Sequence, residues 1–332
     1  MVTLDAVRVA LAALLLLLAA GPRAASVDPA LPHYQPRGVE IPASAGYVGA
    51  DGAIAVVGYN DMRDILEALV PLLTAAHPDI RIRRDLPGTR FAPAALARGE
   101  SAFAPMGAEF TPAQLADYRA MVGADPLEFR VAHASLDPRA LSGPLAVFVH
   151  RDNPLASVSI DQLRRIYTGE TSRWGELGLG GAWAERAVHA YGVERGTPLA
   201  LSLQRNAMEG AEFGEGMTGF PQSRDVVNKV ASDPAAIGFA AAMRAVPGVR
   251  VVPLAPRGGG APVALTEANL LAGRYPLDRF LLVYARAPLS PVAREFLRLM
   301  LSREGQSAIA ASPQGYLPLS AREAALERAK LD

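Results

Sequence analysis

The sequence predicts a layered α/β protein of two lobes, and three observations carry that prediction. From Ala53 onward, short apolar runs alternate with amphipathic stretches of helical period, the pattern of strands and helices packed in layers. Three strand-like runs pass through a small polar turn straight into a helix. These turns are Val57-Gly58-Tyr59-Asn60-Asp61, Leu86-Pro87-Gly88-Thr89-Arg90 and Val193-Glu194-Arg195-Gly196-Thr197. At 332 residues, 50% of them hydrophobic, the chain is long enough to bury two cores.

Taken in order, Ile54-Ala55-Val56-Val57 is the first strand. Met62 to His77 follows as a helix, with Ile65, Leu66, Leu69 and Leu72 or Leu73 on one face. Ile80-Arg81-Ile82-Arg83 alternates like a strand. Ala94 to Arg98 makes a short helix ended by Gly99, and Thr111 with Pro112 starts another as cap and first-turn proline. Leu145-Ala146-Val147-Phe148-Val149 is the clearest buried strand. Ser159 caps a helix through Tyr167 that Gly169 closes. Val188 to Gly192 is a strand, Pro198 to Phe213 a helix, and Asp225 to Ser232 another. Ile237-Gly238-Phe239 and Val249-Arg250-Val251-Val252 read as strands near a lobe crossing. Phe280 to Tyr284 is a further strand, before helices at Pro291 to Leu301 and Ala321 to Lys330. No internal repeat of solenoid period is present.

Before Ala53 the chain has a different character. Arg8, the unbroken apolar run Val9 to Ala20 and the small residues between Gly21 and Ser26 read as an export signal over residues 1–26. That run is shorter than the ~20 residues a membrane-spanning helix needs. The expectation is an exported, freely soluble periplasmic protein. Residues 27–50, rich in Pro, Ala and Gly, read as an N-terminal tether or a strap lying on the surface.

Composition excludes several functions. Cysteine is absent, which removes disulfides, thiol catalysis and a lipidated cysteine anchor. Acidic and basic totals cancel at 33 each, with no basic stripe, so no nucleic-acid partner is expected. The five histidines, His33, His77, His133, His150 and His189, show no metal-ligand spacing. There is no Gly-x-Ser-x-Gly elbow, Walker loop or dinucleotide fingerprint, and no carboxylate pair stands out for acid–base work. Neither a cofactor nor a catalytic residue is expected.

The three turns point to ligand capture instead. A helix N-terminus carries unpaired N–H groups and a partial positive charge, and several such ends facing one cleft hold a small oxyanion without a metal. The candidate ligand residues are Tyr59, Asn60, Gly88, Thr89, Arg90, Glu109, Arg195, Gly196 and Thr197. Each has a plainer alternative. Thr197 reads as an anion donor or as a simple N-cap, and Arg195 and Arg90 as anion contacts or surface ion-pair partners. Asn60 and Asp61 read as caps of the helix from Met62 as readily as ligands.

The C-terminal third narrows the α/β reading. Gly273-Arg274-Tyr275-Pro276-Leu277-Asp278-Arg279 precedes a strand. Glu295-Phe296-Leu297, Ser302-Arg303-Glu304-Gly305-Gln306 and Gly315-Tyr316-Leu317-Pro318-Leu319 follow in order. Upstream come Asn153-Pro154-Leu155, Gln162-Leu163, Ile166-Tyr167-Thr168-Gly169, Trp174, Gly196-Thr197 and Ala236-Ile237-Gly238-Phe239. This ordered set resembles the phosphate-binding proteins of ABC importers, within the type II periplasmic-binding-protein superfamily, from about Ile54 to Leu319.

The resemblance implies two α/β lobes joined by two crossover strands, with ligand held in the cleft between them and hinged closure upon it. It implies lobe 1 over residues 51–142 and 245–332, and lobe 2 over 143–244. It also implies a monomer that binds phosphate or a similar small anion and hands it to the transmembrane subunits of an ABC permease. The ligand loops depart from the family pattern. The first turn is Gly58-Tyr59-Asn60-Asp61 in place of a hydroxyl-rich one, and Gly107 stands where the family carries an acidic residue, with Glu109 two residues on as its substitute. Tyr191 falls near the usual arginine, with Arg195 replacing a serine nearby. A second reading is therefore an organic anion as ligand, and a third is a binding scaffold used in signalling or envelope interaction.

Overall fold

The computed structural model describes residues 26–331. The export-signal reading falls on residues 1–26 and lies, apart from Ser26, outside the described residues.

The first segment runs β1 (Ile54–Val57), α1 (Arg63–Ala76), β2 (Ile82–Asp85), α2 (Ala92–Ala97), β3 (Ala104–Met106), α3 (Pro112–Val122) and β4 (Leu127–His133). Helix α1 buries Ile65, Leu66, Leu69 and Leu73 along one face, leaving Leu72 outward. Helix α3 begins in a capping box, Thr111 with Gln114, and ends at Gly123, whose φ of 77° an L side chain rarely adopts. The alternating sequence did not flag β4. Its alternation is blunted by His133 and Arg130, which the fold satisfies with Asp278, Glu323 and the Phe280 ring.

The middle segment holds β5 (Leu145–His150), β6 (Val158–Ser159), α4 (Ile160–Thr168), β7 (His189–Val193), α5 (Pro198–Asn206), β8 (Thr218–Phe220), α6 (Ser223–Ala231) and β9 (Ala236–Ala241). Helix α4 has its own capping box, Ser159 with Gln162, and closes at Gly169. Helix α5 stops at Asn206 rather than continuing to Phe213. The Gln204 carbonyl there receives the N–H of Gly210, and the chain turns so that Phe213 stacks on Phe239 in the core. Trp174 is fully buried with Trp183 edge-on against it, so both serve packing.

The final segment comprises β10 (Val249–Val251), β11 (Leu254–Ala255), α7 (Glu267–Leu271), β12 (Phe280–Ala285), α8 (Pro291–Met300), α9 (Arg303–Ala310) and α10 (Ala321–Arg328).

Four sheets result. The largest has the order β10-β5-β9-β7-β8, with β5 antiparallel to β9 and β10, and with β7 parallel to β8 and β9. Strand β12 lies antiparallel between β3 and β4, while β1 pairs parallel with β2 and β6 parallel with β11.

Two large apolar cores form around these sheets. One gathers Leu145, Phe148, Leu163, Trp174, Val226 and Phe239 from the middle segment, together with Val252, Leu254, Leu270 and Leu277. The other joins Ile54, Ile65, Phe103 and Phe129 to Leu281, Phe296, Tyr316 and Leu331. Residues between Ala245 and Leu277 therefore pack with the middle core, because β10 adds to the edge of β5 and buries its inner face there. The expected switch at Ala245 thus lies some way before the point where the packing changes sides. The two connecting segments run together: Leu145 N–H donates to Leu277 at 3.1 Å, and Ala134 N–H to Arg279 at 2.8 Å.

Residues 27–50 form a strap. Leu31 is buried in the second core, Tyr34 hydroxyl donates to Glu295 at 2.6 Å, and Asp28 accepts from Ala321 N–H at 2.9 Å.

Candidate functional site

Strand ends and helix starts meet between the two cores. On the first wall, β1 ends against Gly58, where a Cβ would stand 2.5 Å from the Pro105 carbonyl oxygen, so only glycine fits. Tyr59 N–H then donates to that same oxygen at 2.9 Å. This places the Tyr59 ring directly over Gly107, and a Cβ on Gly107 would lie within 2.5 Å of the ring carbon Cζ. Burial, with help from the charge of Asp61, pushes the Tyr59 phenol well above its ordinary pKa. Beside it, Tyr316 hydroxyl donates to Asp61, and Ser142 N–H donates to Tyr316 at 3.3 Å. Gly88 N–H donates to the Gly58 carbonyl at 3.0 Å, which brings the second turn and Thr89 alongside the first.

The floor is Arg279, only 8% exposed, at the start of β12 where the two cores meet. Its guanidinium donates to the carbonyls of Gly143 at 3.3 Å and Gly107 at 3.2 Å, while Nε is buried without a protein partner. Burial pulls its pKa down, and the negative potential of Glu109 works the other way. Behind it, Asp278 accepts from the Arg279 N–H at 2.7 Å and from His133 Nδ1 at 2.6 Å, and His133 Nε2 meets Glu323 at 3.2 Å. Burial works to lower the His133 pKa, but the bonds and charges of Asp278 and Glu323 outweigh it and raise it to about 9. Burial raises Asp278, whereas Glu323 is held down to about 2 by His133 and Ser320 against its own burial. An imidazole that two carboxylates hold toward its protonated form therefore backs the segment that carries Arg279.

The second wall comes from the middle segment. Thr197 caps α5, accepting from Ala200 N–H at 3.4 Å and donating to the Glu194 carbonyl at 2.7 Å. Helix α6 starts at Ser223, whose hydroxyl accepts from Ala241 N–H at 3.2 Å. Each helix brings its N-terminal end, with its partial positive charge, to this wall.

Together these groups enclose a cavity of about 400 Å³. Tyr59, Thr89, Gly107, Leu141 and Arg279 line one side; Val193, Thr197, Leu199, Gln222 and Ser223 line the other. Among the described residues, no cluster of His, Cys, Asp or Glu has the geometry to hold a metal ion. Chemically the arrangement suits an anion: one buried guanidinium, several hydroxyls and two helix N-termini converge on one volume.

Of the residues read from sequence, Tyr59, Thr89 and Thr197 line this cavity. The others do not. Arg90 lies 4.5 Å over the Phe91 ring and lines a separate groove between α2 and α3. Glu109 is paired with Arg205 of α5 at 2.8 Å, an ion pair that joins the two sides outside the cavity. Arg195 is exposed and donates to the Gly214 carbonyl at 2.9 Å. Asn60 is exposed at the start of a single 3-10 turn, whereas Gly88 (φ 126°) and Gly196 (φ 79°) shape their turns without lining the cavity. Sequence reasoning missed Arg279, Gln222 and Ser223. The signal for Arg279 was available: an arginine leads directly into the apolar strand Phe280–Ala285, where an unpaired charge has to have a purpose.

Comparison with known proteins agrees with this architecture. The family model described as "PBP superfamily domain" matches residues 46–304. The chain belongs to the PBP superfamily. A curated relative, the phosphate-binding protein PstS of Pseudomonas aeruginosa PAO1, is 30% identical over 330 residues, covering 95% of this chain and 96% of its own. Among solved structures, an ABC-type phosphate transport receptor from Vibrio cholerae superposes with TM-score 0.53 at 17% identity, covering 80% of this chain and 99% of that one. PstS from Borrelia burgdorferi superposes with TM-score 0.53 at 14% identity, covering 81% and 99%. At such identities the solved structures speak for the PBP fold alone. No helix among the described residues is long and apolar enough to cross a membrane.

Proposed function

We propose that this PBP-superfamily protein captures a small tetrahedral oxyanion, inorganic phosphate first, and delivers it to the transmembrane subunits of an ABC importer. The observation that carries the reading is Arg279, a buried guanidinium with a free Nε at the floor of a cleft where α5 and α6 begin. Its relatives by sequence carry the name phosphate-binding protein, which supports phosphate as the ligand to test first. The two cores act as lobes, with crossings near Gly143 and between Leu277 and Arg279, so that closure brings the helix ends onto an anion held by the arginine. Capture is non-covalent, the protein acts as a monomer, and the leader places it in the periplasm.

A thermal-shift titration of the ligand-stripped mature chain with phosphate, arsenate and organophosphates tests this. At a hundred times its dissociation constant, a ligand stabilises by about 2.7 kcal/mol, which a melting curve resolves. A saturable shift with phosphate, lost in Arg279→Met, is the expected result. A shift with organophosphates alone moves the assignment to an organic anion, for which Val193, Leu199 and Leu141 supply the apolar wall. No shift with any oxyanion overturns the reading.

A further inference from the structure

The cleft does not end at the cavity that Arg279 floors. A second chamber of about 660 Å³ opens from it, with Leu141, Leu199, Gln222, Ser223 and Ala241 lining both. We propose that this chamber is a second anion subsite. The protein then takes, alongside inorganic phosphate, phosphate monoesters whose short carbon chain ends in another anionic group. The inference rests on the oxyanion reading above.

Size is the first argument. A phosphate has five heavy atoms, and at a water's share of liquid volume each they fill roughly 150 Å³. The cavity over Arg279, about 400 Å³, already exceeds that, and the chamber beyond it is larger still.

The chamber walls carry chemistry of two kinds. Leu141, Leu199, Met243 and Val246 offer apolar contact to a carbon chain, and Arg224 and Arg244 supply charge. Arg224 stands exposed in the first turn of α6, with no hydrogen-bond or ion-pair partner among the described residues. Arg244 closes the 3-10 turn Ala242–Arg244 and spends one Nη on the Pro138 carbonyl at 3.4 Å, which leaves the rest of its fork for a ligand. At the junction of the two cavities, Gln222 holds the N-cap of α6 without a side-chain capping bond.

The acids of the adjoining segments do not line the chamber. Asp61 lies behind Leu141, accepting that N–H at 2.9 Å and the Tyr316 hydroxyl. Asp137 is gripped by Arg139 at 2.7 Å, and Asp225 follows Arg224 on the exposed face of α6. A second anionic group tethered to a bound phosphate would meet the two arginines at high effective concentration.

The experiment is isothermal titration of the ligand-stripped protein, at low salt, with inorganic phosphate, glycerol 3-phosphate and 3-phosphoglycerate. The two esters share a carbon chain and differ at its far end, hydroxyl against carboxylate. The expected result is that 3-phosphoglycerate binds at least about fivefold more tightly than glycerol 3-phosphate, a preference that shrinks as salt is raised. The double variant Arg224→Gln/Arg244→Gln is expected to bring the two esters within about twofold. Binding of phosphate with neither ester bound, or with both bound alike, overturns the inference and leaves the oxyanion reading standing. A full preference in the double variant overturns it as well. Binding of none of the three removes the oxyanion reading and this inference with it. If the double variant does not fold, Arg224→Gln alone decides, at an exposed position, and the preference must then fall at least about twofold.

Discussion

The two walls of the cleft reach the same end by different physics. The wall from the first and last segments is built on one buried charge, Arg279, which is held by two backbone carbonyls and backed by the Asp278–His133–Glu323 cluster. The wall from the middle segment contributes no charged side chain to the cavity lining; it works through the Thr197 and Ser223 hydroxyls and the starts of two helices. The first wall is costly to build, because a buried guanidinium needs its partners before any ligand arrives. The second comes almost free, since helix ends have unpaired N–H groups in any case. Affinity should therefore be concentrated on the first wall, while the second contributes shape and closure.

The sharpest way to break that comparison is Arg279→Met. Hydrogen bonds to a charged group contribute about 1.5–3 kcal/mol. Oxyanion affinity should fall by roughly 10- to 150-fold in titration calorimetry, with Arg279→Lys intermediate because it keeps the charge without the fork. A folded Arg279→Met variant that binds as well as wild type would move the charge of the site elsewhere.

The middle wall is probed by Thr197→Val and Ser223→Ala. Each removes one hydroxyl, worth about 0.5–1.5 kcal/mol, so affinity should drop by roughly 2- to 13-fold per variant. Thr197→Val should also lower stability by about 1 kcal/mol through the lost cap of α5, visible in denaturant melts, whereas Ser223→Ala loses only its bond to Ala241. If either loss equals that of Arg279→Met, the walls are energetically alike.

The backing cluster predicts a pH dependence with a definite sign. His133 binds its proton more tightly in the folded state, near 9, than at its ordinary 6.5. Its contribution to stability is therefore complete below about 6.5 and is lost as pH rises to about 9. Melting temperature should decline across that window, and His133→Gln should flatten the decline. A flat wild-type profile would leave the imidazole neutral and the Arg279 segment backed by hydrogen bonds alone.

Smaller effects sharpen the boundary of the site. Glu109→Gln breaks an ion pair whose Arg205 side chain is 52% exposed, so a change of about 0–1 kcal/mol, at most roughly fivefold in affinity, is expected. Arg90→Ala and Arg195→Ala should leave affinity within about twofold, because both side chains are engaged away from the cavity. A tenfold loss in either would return that arginine to the site.

The fold was far more legible in the sequence than the site. Helices α1, α3 and α4 announced themselves through a 3.6-residue apolar face, through Thr111 and Ser159 as caps, and through Gly169 as terminator. Strand β5 showed as an unbroken apolar run. Of the residues proposed from the sequence, Thr89, Thr197 and Tyr59 line the cavity between the two cores, because strand–turn–helix junctions are local. Arg90 and Arg195 lie away from the cavity, and the sequence could not tell this, because an arginine in a loop looks the same whether it faces a cleft, stacks on Phe91 or reaches the Gly214 carbonyl.

By itself, then, the amino-acid sequence determined the α/β class, the long helices with clear caps or apolar faces and the strongest strands, since periodicity, caps and turn residues act within a few positions of the chain. Strands such as β3, β4 and β8 and the helix α9 left no such local signal. Only the tertiary structure decided which charge lies at the cleft and how the first wall is packed. Arg279 reaches the cavity because two crossing segments, more than a hundred residues apart in sequence, lie side by side. Gly107 stays bare because the ring of Tyr59, 48 residues earlier, fills the space above it. Both are packing relations between distant parts of the chain, and volume exclusion between such parts leaves no periodic trace in the sequence.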